Sequence, residues 1–259
     1  MPVLFVVFSM LLMLLGVSKY CLADNLMVFG GVPNIPPLSF VQEGSAKGFF
    51  PDVLSETGKR AGLEIIIVLY PFKRLNRYLQ LGELDGTISI FHKKEREGYL
   101  LYSKYPVLVS RTLVFVKKGK EFTFRSISDL YGKKFGAIAG WSLNNLELER
   151  AVKEKKIFID EAERHDQNLH KLMLNRFDGL IATEHLTWYH ANQLGVAESV
   201  AALETQVAEN RTFFAVSKHT HRIKDHKRIM ERMESALNEI VLDGTYETFL
   251  MKYQLTSKN

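Results

Sequence analysis

The stretch EIIIVLYPFKRLNRYLQLGELDGTISIF, Glu64–Phe91, decides the fold class. EIIIVL (Glu64–Leu69) is a short aliphatic run, the pattern of a buried strand. Lys73–Leu81 then carries Leu75, Tyr78 and Leu79 at helical spacing. GTISIF (Gly86–Phe91) is the next strand. Strand, helix and strand in succession predict parallel pairing with helices on the sheet faces.

Working outward, Leu26–Phe29 predicts a strand, and Gly30, Gly31, Pro33, Pro36 and Pro37 mark a loop. Pro51–Gly62 predicts a helix with Val53, Leu54 and Ala61 on one face. On the other side the pattern restarts. Ser126 caps a short helix through Leu130, Lys134–Ile138 is a strand, and Gly140 leads into a helix over Leu143–Lys153. Lys156–Ile159 is a strand, Gln167–Asn175 a helix, Gly179–Ala182 a strand and Glu184–Gln193 a helix. Phe213–Val216 is a strand, and helices over Arg222–Leu242 and Thr245–Tyr253 are separated by Asp243-Gly244. Two α/β blocks of roughly 100 residues each result, with no Gly/Ser- or Pro-rich linker between them.

The chain has 259 residues, 46% of them hydrophobic and 24% charged, which is a folded rather than a disordered composition. One cysteine excludes a disulfide scaffold. The formal charge of +5 and the pI near 9.1 come without a basic stripe interleaved with stacking aromatics, so nucleic acid is not an expected partner. Val3–Val17 (VLFVVFSMLLMLLGV) is the one long apolar run, shorter than the roughly 20 residues of a spanning helix. With Cys21-Leu22-Ala23 behind it, the run predicts a signal peptide over residues 1–23, cleaved after Ala23, although no Lys or Arg precedes it. An uncleaved anchor is the alternative; Lys19 and Tyr20 are too bulky for a lipoprotein signal at Cys21.

Several motifs, in order, resemble those of the periplasmic solute-binding proteins of the polar-amino-acid type, family 3. They are IPPLSF (Ile35–Phe40) followed by GFFPDV (Gly48–Val53), and GELDG (Gly82–Gly86) followed by Glu95-Arg96 and YSKYP (Tyr102–Pro106). DLYGK (Asp129–Lys133) with GAIAGWS (Gly136–Ser142), and DGTY (Asp243–Tyr246) with Lys252-Tyr253, complete the set. The resemblance runs from about Leu26 to Tyr253. It implies an α/β periplasmic-binding-protein type II fold: two lobes, mainly parallel sheets with flanking helices, and two crossover strands at the hinge. Lobe 1 would comprise residues 24–109 and 212–259, and lobe 2 residues 112–210. It further implies capture of a small carboxylate or amino-acid ligand by hinge closure, in the periplasm, with an inner-membrane ABC-type permease or a sensor as partner. A monomer without cofactor or metal is expected.

The resemblance also assigns candidate ligand residues. Arg96 matches the arginine that grips a carboxylate, a task suited to the planar two-donor guanidinium. Ser142 matches a hydroxyl at a helix start, where free N–H groups favour an anion. Ser89 matches a donor on the strand floor, and Phe72 an aromatic cover over the ligand. Ile35 stands where an aromatic is usual, Phe91 where a small hydroxyl residue is usual, Lys93 where Thr is usual, and Trp141 where a small residue is usual. The acid that pairs with an α-ammonium falls at Thr183, with Glu184 next to it. Either Glu184 swings in or the ligand is not a standard α-amino acid, because an unpaired buried ammonium costs several kcal/mol. Arg74 is a possible second anion contact.

Other chemistries lack a pattern. His219, His221 and His226 do not make a zinc ligand set, Gly30-Gly31 is no phosphate loop, and no serine sits in a nucleophile elbow. An enzyme on the same scaffold, a cyclohexadienyl-type dehydratase, is the alternative function; its acid or base would have to be Glu184, Lys93 or His92.

Overall fold

The computed structural model describes residues 25–139 and 144–255. In chain order the strands are β1 (Leu26–Gly31), β2 (Phe40–Gln42), β3 (Ser45–Lys47), β4 (Glu64–Leu69), β5 (Gly86–Phe91) and β6 (Leu100–Tyr102). They continue as β7 (Leu108–Lys117), β8 (Lys134–Ile138), β9 (Phe158–Ala162), β10 (Gly179–Thr183), β11 (Val200–Ala202) and β12 (Ala208–Ser217). The helices are α1 (Phe49–Arg60), α2 (Phe72–Leu81), α3 (Leu146–Lys153), α4 (His165–Met173), α5 (Glu184–Gln193), α6 (His226–Leu242) and α7 (Thr245–Lys252).

Ten strands form one hydrogen-bonded sheet whose main path is β4-β1-β5-β12-β7-β10-β8-β9, with β6 added to β12 and β11 to β7. The flanks are parallel: β1 with β4 and β5, and β8 with β9 and β10. The centre is antiparallel. β7 and β12 pair with each other from Leu108↔Thr212 to Thr112↔Ala208. Past that ribbon, β12 runs on beside β5 and β7 runs on beside β10, so each crossover strand serves both halves.

Side-chain alternation along the strands sorts the core into layers. On β1, Met27 and Phe29 join Val53, Leu54, Met233 and Ile240 of α1 and α6, while Val28 packs with Leu75 and Leu79 of α2 on the opposite face. On β7, Val114 and Val116 pack with Leu148 of α3, while Leu113 and Phe115 pack with Leu169 and Leu172 of α4. α2 stops at Gly82, whose φ of 72° is left-handed and whose missing Cβ would lie 2.3 Å from the His219 carbonyl oxygen.

β4, β5, β8 and α5 have the limits expected from sequence. Other elements shift for identifiable reasons. The helix expected from Leu143 starts at Leu146, because the Asn145 side chain accepts the Leu148 N–H and caps it, and Asn144 before it has φ 51°. The strand expected over Lys156–Ile159 runs instead over Phe158–Ala162, because Lys155 at φ 58° and the Lys156 N–H still close the preceding helix. The long C-terminal helix starts at His226 rather than Arg222, where Asp225 accepts the Arg228 N–H. The expected strand Phe213–Val216 is the end of a ten-residue strand, Ala208–Ser217. The hairpin β2–β3 and strands β6 and β11 have no counterpart in the sequence reading. No helix among the described residues is long and apolar enough to cross a membrane. The predicted signal peptide, Ser142 and Trp141 lie outside the described residues.

Candidate functional site

The register of the central strands builds a gap. β5 ends at Phe91, in line with Thr212 and, across the ribbon, Leu108. β10 ends at Thr183, in line with Thr112 and Ala208. Because β5 and β10 approach from opposite directions, their C-terminal ends point at each other over the stretch from Leu108 to Thr112, about 13 Å of strand. In open α/β sheets the ends of the strands, where loops and helix N-termini gather, are where ligands bind. Here two such sets of ends face one another across a two-strand floor.

The floor has two chemically distinct faces. Residues paired across antiparallel strands share a side, and neighbours along a strand alternate. Phe91, Thr212, Asn210, Ser110, Thr112 and Thr183 therefore fall on one side. The Asn210 amide donates to the Thr112 hydroxyl at 2.8 Å, and the Asn144 amide donates to the Asn210 carbonyl oxygen. Asn144 directly follows the Gly140–Leu143 segment that holds Trp141 and Ser142. The other side carries the charges. Arg111 grips Glu184 bidentately, Nε to Oε2 at 2.9 Å and Nη2 to Oε1 at 2.7 Å, and Arg211 pairs with Glu209 at 2.6 Å. The Glu184 side chain is only 6% exposed and that of Arg111 43%. Charged forks of this kind are strong and directional.

Arg96 follows β5 in a short 3-10 turn, Lys94–Arg96. Its guanidinium lies 5.2 Å from the Phe72 ring centroid and donates through Nη1 to the Phe91 carbonyl oxygen at 3.0 Å. Among the described residues no carboxylate pairs with it. Phe72 and Phe91 are 44% and 42% exposed, large apolar rings left open beside a cation. The structure thus brings Arg96, Phe72 and Phe91 together at one lip, with Ser89 half-buried on the same strand as Phe91 and Arg74 and Lys93 exposed nearby in sequence. Burial pushes the Tyr102 phenol up, an effect opposed by the Lys93 backbone and the Arg96 guanidinium beside it.

The remaining candidates are placed differently. Ile35 is half-buried against the core around α1, and its carbonyl accepts the Leu38 and Ser39 N–H groups. Thr183 stands at the end of β10 and its carbonyl accepts the Thr187 hydroxyl. Glu184 does not join Arg96; its carboxylate is held by Arg111, a residue that the sequence reading passed over. The catalytic alternatives fare no better. His92 bonds Glu97 at 2.9 Å and meets the Tyr102 and Phe213 rings at a tilt and edge-on, and Lys93 is exposed. A cavity of about 340 Å³ lined by Tyr105, Val107, Glu234, Leu237 and Tyr246 lies against α6 and includes none of the candidate residues.

A chain that crosses twice between two α/β halves, with both sets of strand ends turned toward a shared floor, has the periplasmic-binding-protein type II fold. Residues 27–256 match the bacterial extracellular solute-binding proteins, family 3, and the chain belongs to that family. It is 25% identical over 229 residues to a Campylobacter jejuni protein named "Probable histidine-binding protein", covering 87% of this chain and 84% of the relative. It is also 25% identical over 232 residues to "Probable amino-acid-binding protein YxeM" of Bacillus subtilis, covering 89% and 84%. An ancestral arginine-binding protein bound to arginine shares the fold with a TM-score of 0.67 at 23% identity, covering 90% of this chain and 99% of that one. These relatives are binding proteins, and so is this chain, rather than an enzyme.

Proposed function

We propose that this chain is a periplasmic receptor that captures a small carboxylate-bearing solute, an amino acid or related organic anion, and hands it to an ABC-type permease. Residues 24–109 with 212–259 form one lobe and residues 112–210 the other. The ligand touches both only when they close, so binding shifts the open–closed equilibrium toward closure. Arg96 grips the carboxylate, and Phe72 and Phe91 flank it; Ser142, outside the described residues, is kept from the family resemblance as the hydroxyl partner. Ser89, Arg74, Ile35 and Thr183 complete the lining, and Trp141, outside the described residues, is kept from the resemblance.

The observation that carries this reading is Arg96 itself: a guanidinium at the strand ends, braced by a ring and a carbonyl, with no carboxylate of its own among the described residues. A thermal-shift screen over amino acids, dicarboxylates and aromatic acids tests it. A bound solute at a hundred times its Kd stabilises the fold by about 2.7 kcal/mol. Arg96→Ala should remove that shift while leaving the unliganded melting curve nearly unchanged. A variant that binds the same solute as tightly as the parent ends the carboxylate assignment.

A further inference from the structure

We propose that the α2 face of the β4-β1-β5 half is a docking surface for an anionic lipid bilayer. The proposal goes beyond solute capture and holds whichever solute the cleft takes. α2 packs on this face of the sheet through Leu75 and Leu79, and the turn after β5 packs there through Tyr99. The segment between β12 and α6 is fastened to both. The Ser217 hydroxyl donates to the Leu79 carbonyl oxygen at 2.7 Å, and the His219 ring bonds that of Gln80 at 2.6 Å. Arg222 Nη2 donates to the Glu83 carbonyl oxygen at 2.8 Å, and the Lys218 ammonium donates to that of Glu97. Three stretches far apart in sequence therefore make one continuous surface.

All three stretches are rich in cations. α2 carries Lys73, Arg74 and Arg77 and no acid. The turn adds Lys93, Lys94 and Arg96, and the segment adds Lys218, Arg222 and Lys224; all but the half-buried Arg96 are exposed. Among the described residues no acid pairs with Lys73, Arg74, Arg77 or Lys94. Of the acids here, Asp85 is buried against Arg222, Glu97 bonds His92 and Asp225 caps α6, which leaves Glu83 and Glu95. The opposite face of the same half is different. There Arg60 bridges Glu56 and Asp243, Lys252 pairs with Asp52, and Lys227 with Glu231. Charge is neutralised on one face and left open on the other. Leu81, 55% exposed, stands in line with Lys73 and Arg77 at four-residue spacing along α2, an apolar contact for the headgroup region. Long cations spread over several elements suit a fluid anionic surface, whereas a protein partner of fixed shape is gripped through central buried anchors.

Vesicle flotation of the full chain tests the proposal, with equimolar phosphatidylcholine and phosphatidylglycerol against pure phosphatidylcholine, at low and at physiological salt. The ratio of the two affinities is the readout, because an apolar N-terminal segment would add equally to both. Each Lys or Arg at an anionic surface strengthens binding about fivefold, an attraction that fades beyond a Debye length. The parent should therefore prefer the mixed vesicles by about tenfold or more at low salt, and by less at physiological salt. Lys73→Glu with Arg77→Glu should cut that preference by about tenfold or more while keeping the parental melting temperature. Lys73→Gln with Arg77→Gln should give a smaller loss of the same sign. Lys118→Glu with Lys120→Glu, the same change of charge at exposed positions just past β7, should leave the preference nearly unchanged. Equal binding to both vesicles overturns the proposal, whether or not an acidic protein uses the same face. So does an unchanged preference in the folded α2 variants. A loss as large in the Lys118 and Lys120 variant overturns it as well, since net charge rather than this face would then be responsible.

Discussion

Asp85→Ala is expected to destabilise the protein by about 3–5 kcal/mol, the cost of removing one partner from a buried charged network. Asp85 is fully buried. Its carboxylate accepts the Val28 N–H at 2.7 Å, the Thr220 hydroxyl at 2.5 Å and the Arg222 Nε at 3.0 Å. Its backbone adds two bonds, donating to the Val28 carbonyl and accepting the Ser217 N–H. Asp85 thus ties β1, the entry to β5 and the segment between β12 and α6 together within one half of the fold. Removing it leaves a half-buried amide and a buried hydroxyl without their acceptor, the buried one costing about 1–3 kcal/mol. Arg222→Ala should cost less, because the Arg222 side chain is half exposed and water can serve Asp85 there. Urea unfolding at neutral pH measures both. A midpoint for Asp85→Ala equal to the parent's would mean the network does not hold this half together.

The motif GELDG was legible as a sequence signature, but its aspartate carried no reason until its partners were seen. That is a general feature of this chain. Gly86–Phe91 was legible because it is buried on both faces over most of its length, and Glu64–Leu69 because it is a continuous aliphatic run, although as the edge strand of the sheet it is only half-buried, with Glu64 and Ile66 exposed. The hinge was much harder to see. SRT (Ser110–Thr112) and ENRT (Glu209–Thr212) alternate polar and charged residues, with polar side chains on one side of the ribbon and ion pairs on the other. No apolar period marks such strands, and only the resemblance pointed to two crossovers. β6 and β11 are short strands recruited by the edges of β12 and β7, a tertiary effect that local propensity does not record.

The candidate site divides in the same way. Arg96, Phe72 and Phe91 were named from sequence and do meet at one lip. Arg111 was missed because its partner is far along the chain and nothing around it marks a binding role. A signal did exist: Glu184 opens a helix directly after a buried strand, where an acid must find a cation or stay in water. Glu184, one of two options left open by the sequence, is held by Arg111 in the structure.

Acidification from pH 7 to 5 should remove about 2 kcal/mol of stability through His165 alone. His165 opens α4 and stacks on His190 in the last turn of α5, with ring centroids 5.2 Å apart and planes 9° from parallel. Burial first, and then the neighbouring His190, push the His165 imidazole down from 6.5 to about 3, while Asp166 opposes the shift. Burial lowers His190 as well, with Asp166 raising it and Arg164 lowering it. In the unfolded chain His165 takes a proton near its ordinary value, whereas in the folded protein it stays neutral. The unfolded state therefore binds more protons below about pH 6.5, and stability falls from there toward pH 3, by at most about 5 kcal/mol over the whole interval. The lowered carboxylates Asp160 and Asp166 lose their contribution only below the ordinary Asp range, so the window from pH 7 to 5 isolates the histidines. Urea unfolding at pH 7, 6 and 5 reads the slope. His165→Phe keeps a ring against His190 without a titrating group, so its slope should be markedly shallower than the parent's. A parent protein equally stable at pH 7 and 5 would show that protonation of the stacked pair is not disfavoured by folding. If His165→Phe keeps the parental slope, the slope originates elsewhere, and His185, also lowered by burial, is the next side chain to replace.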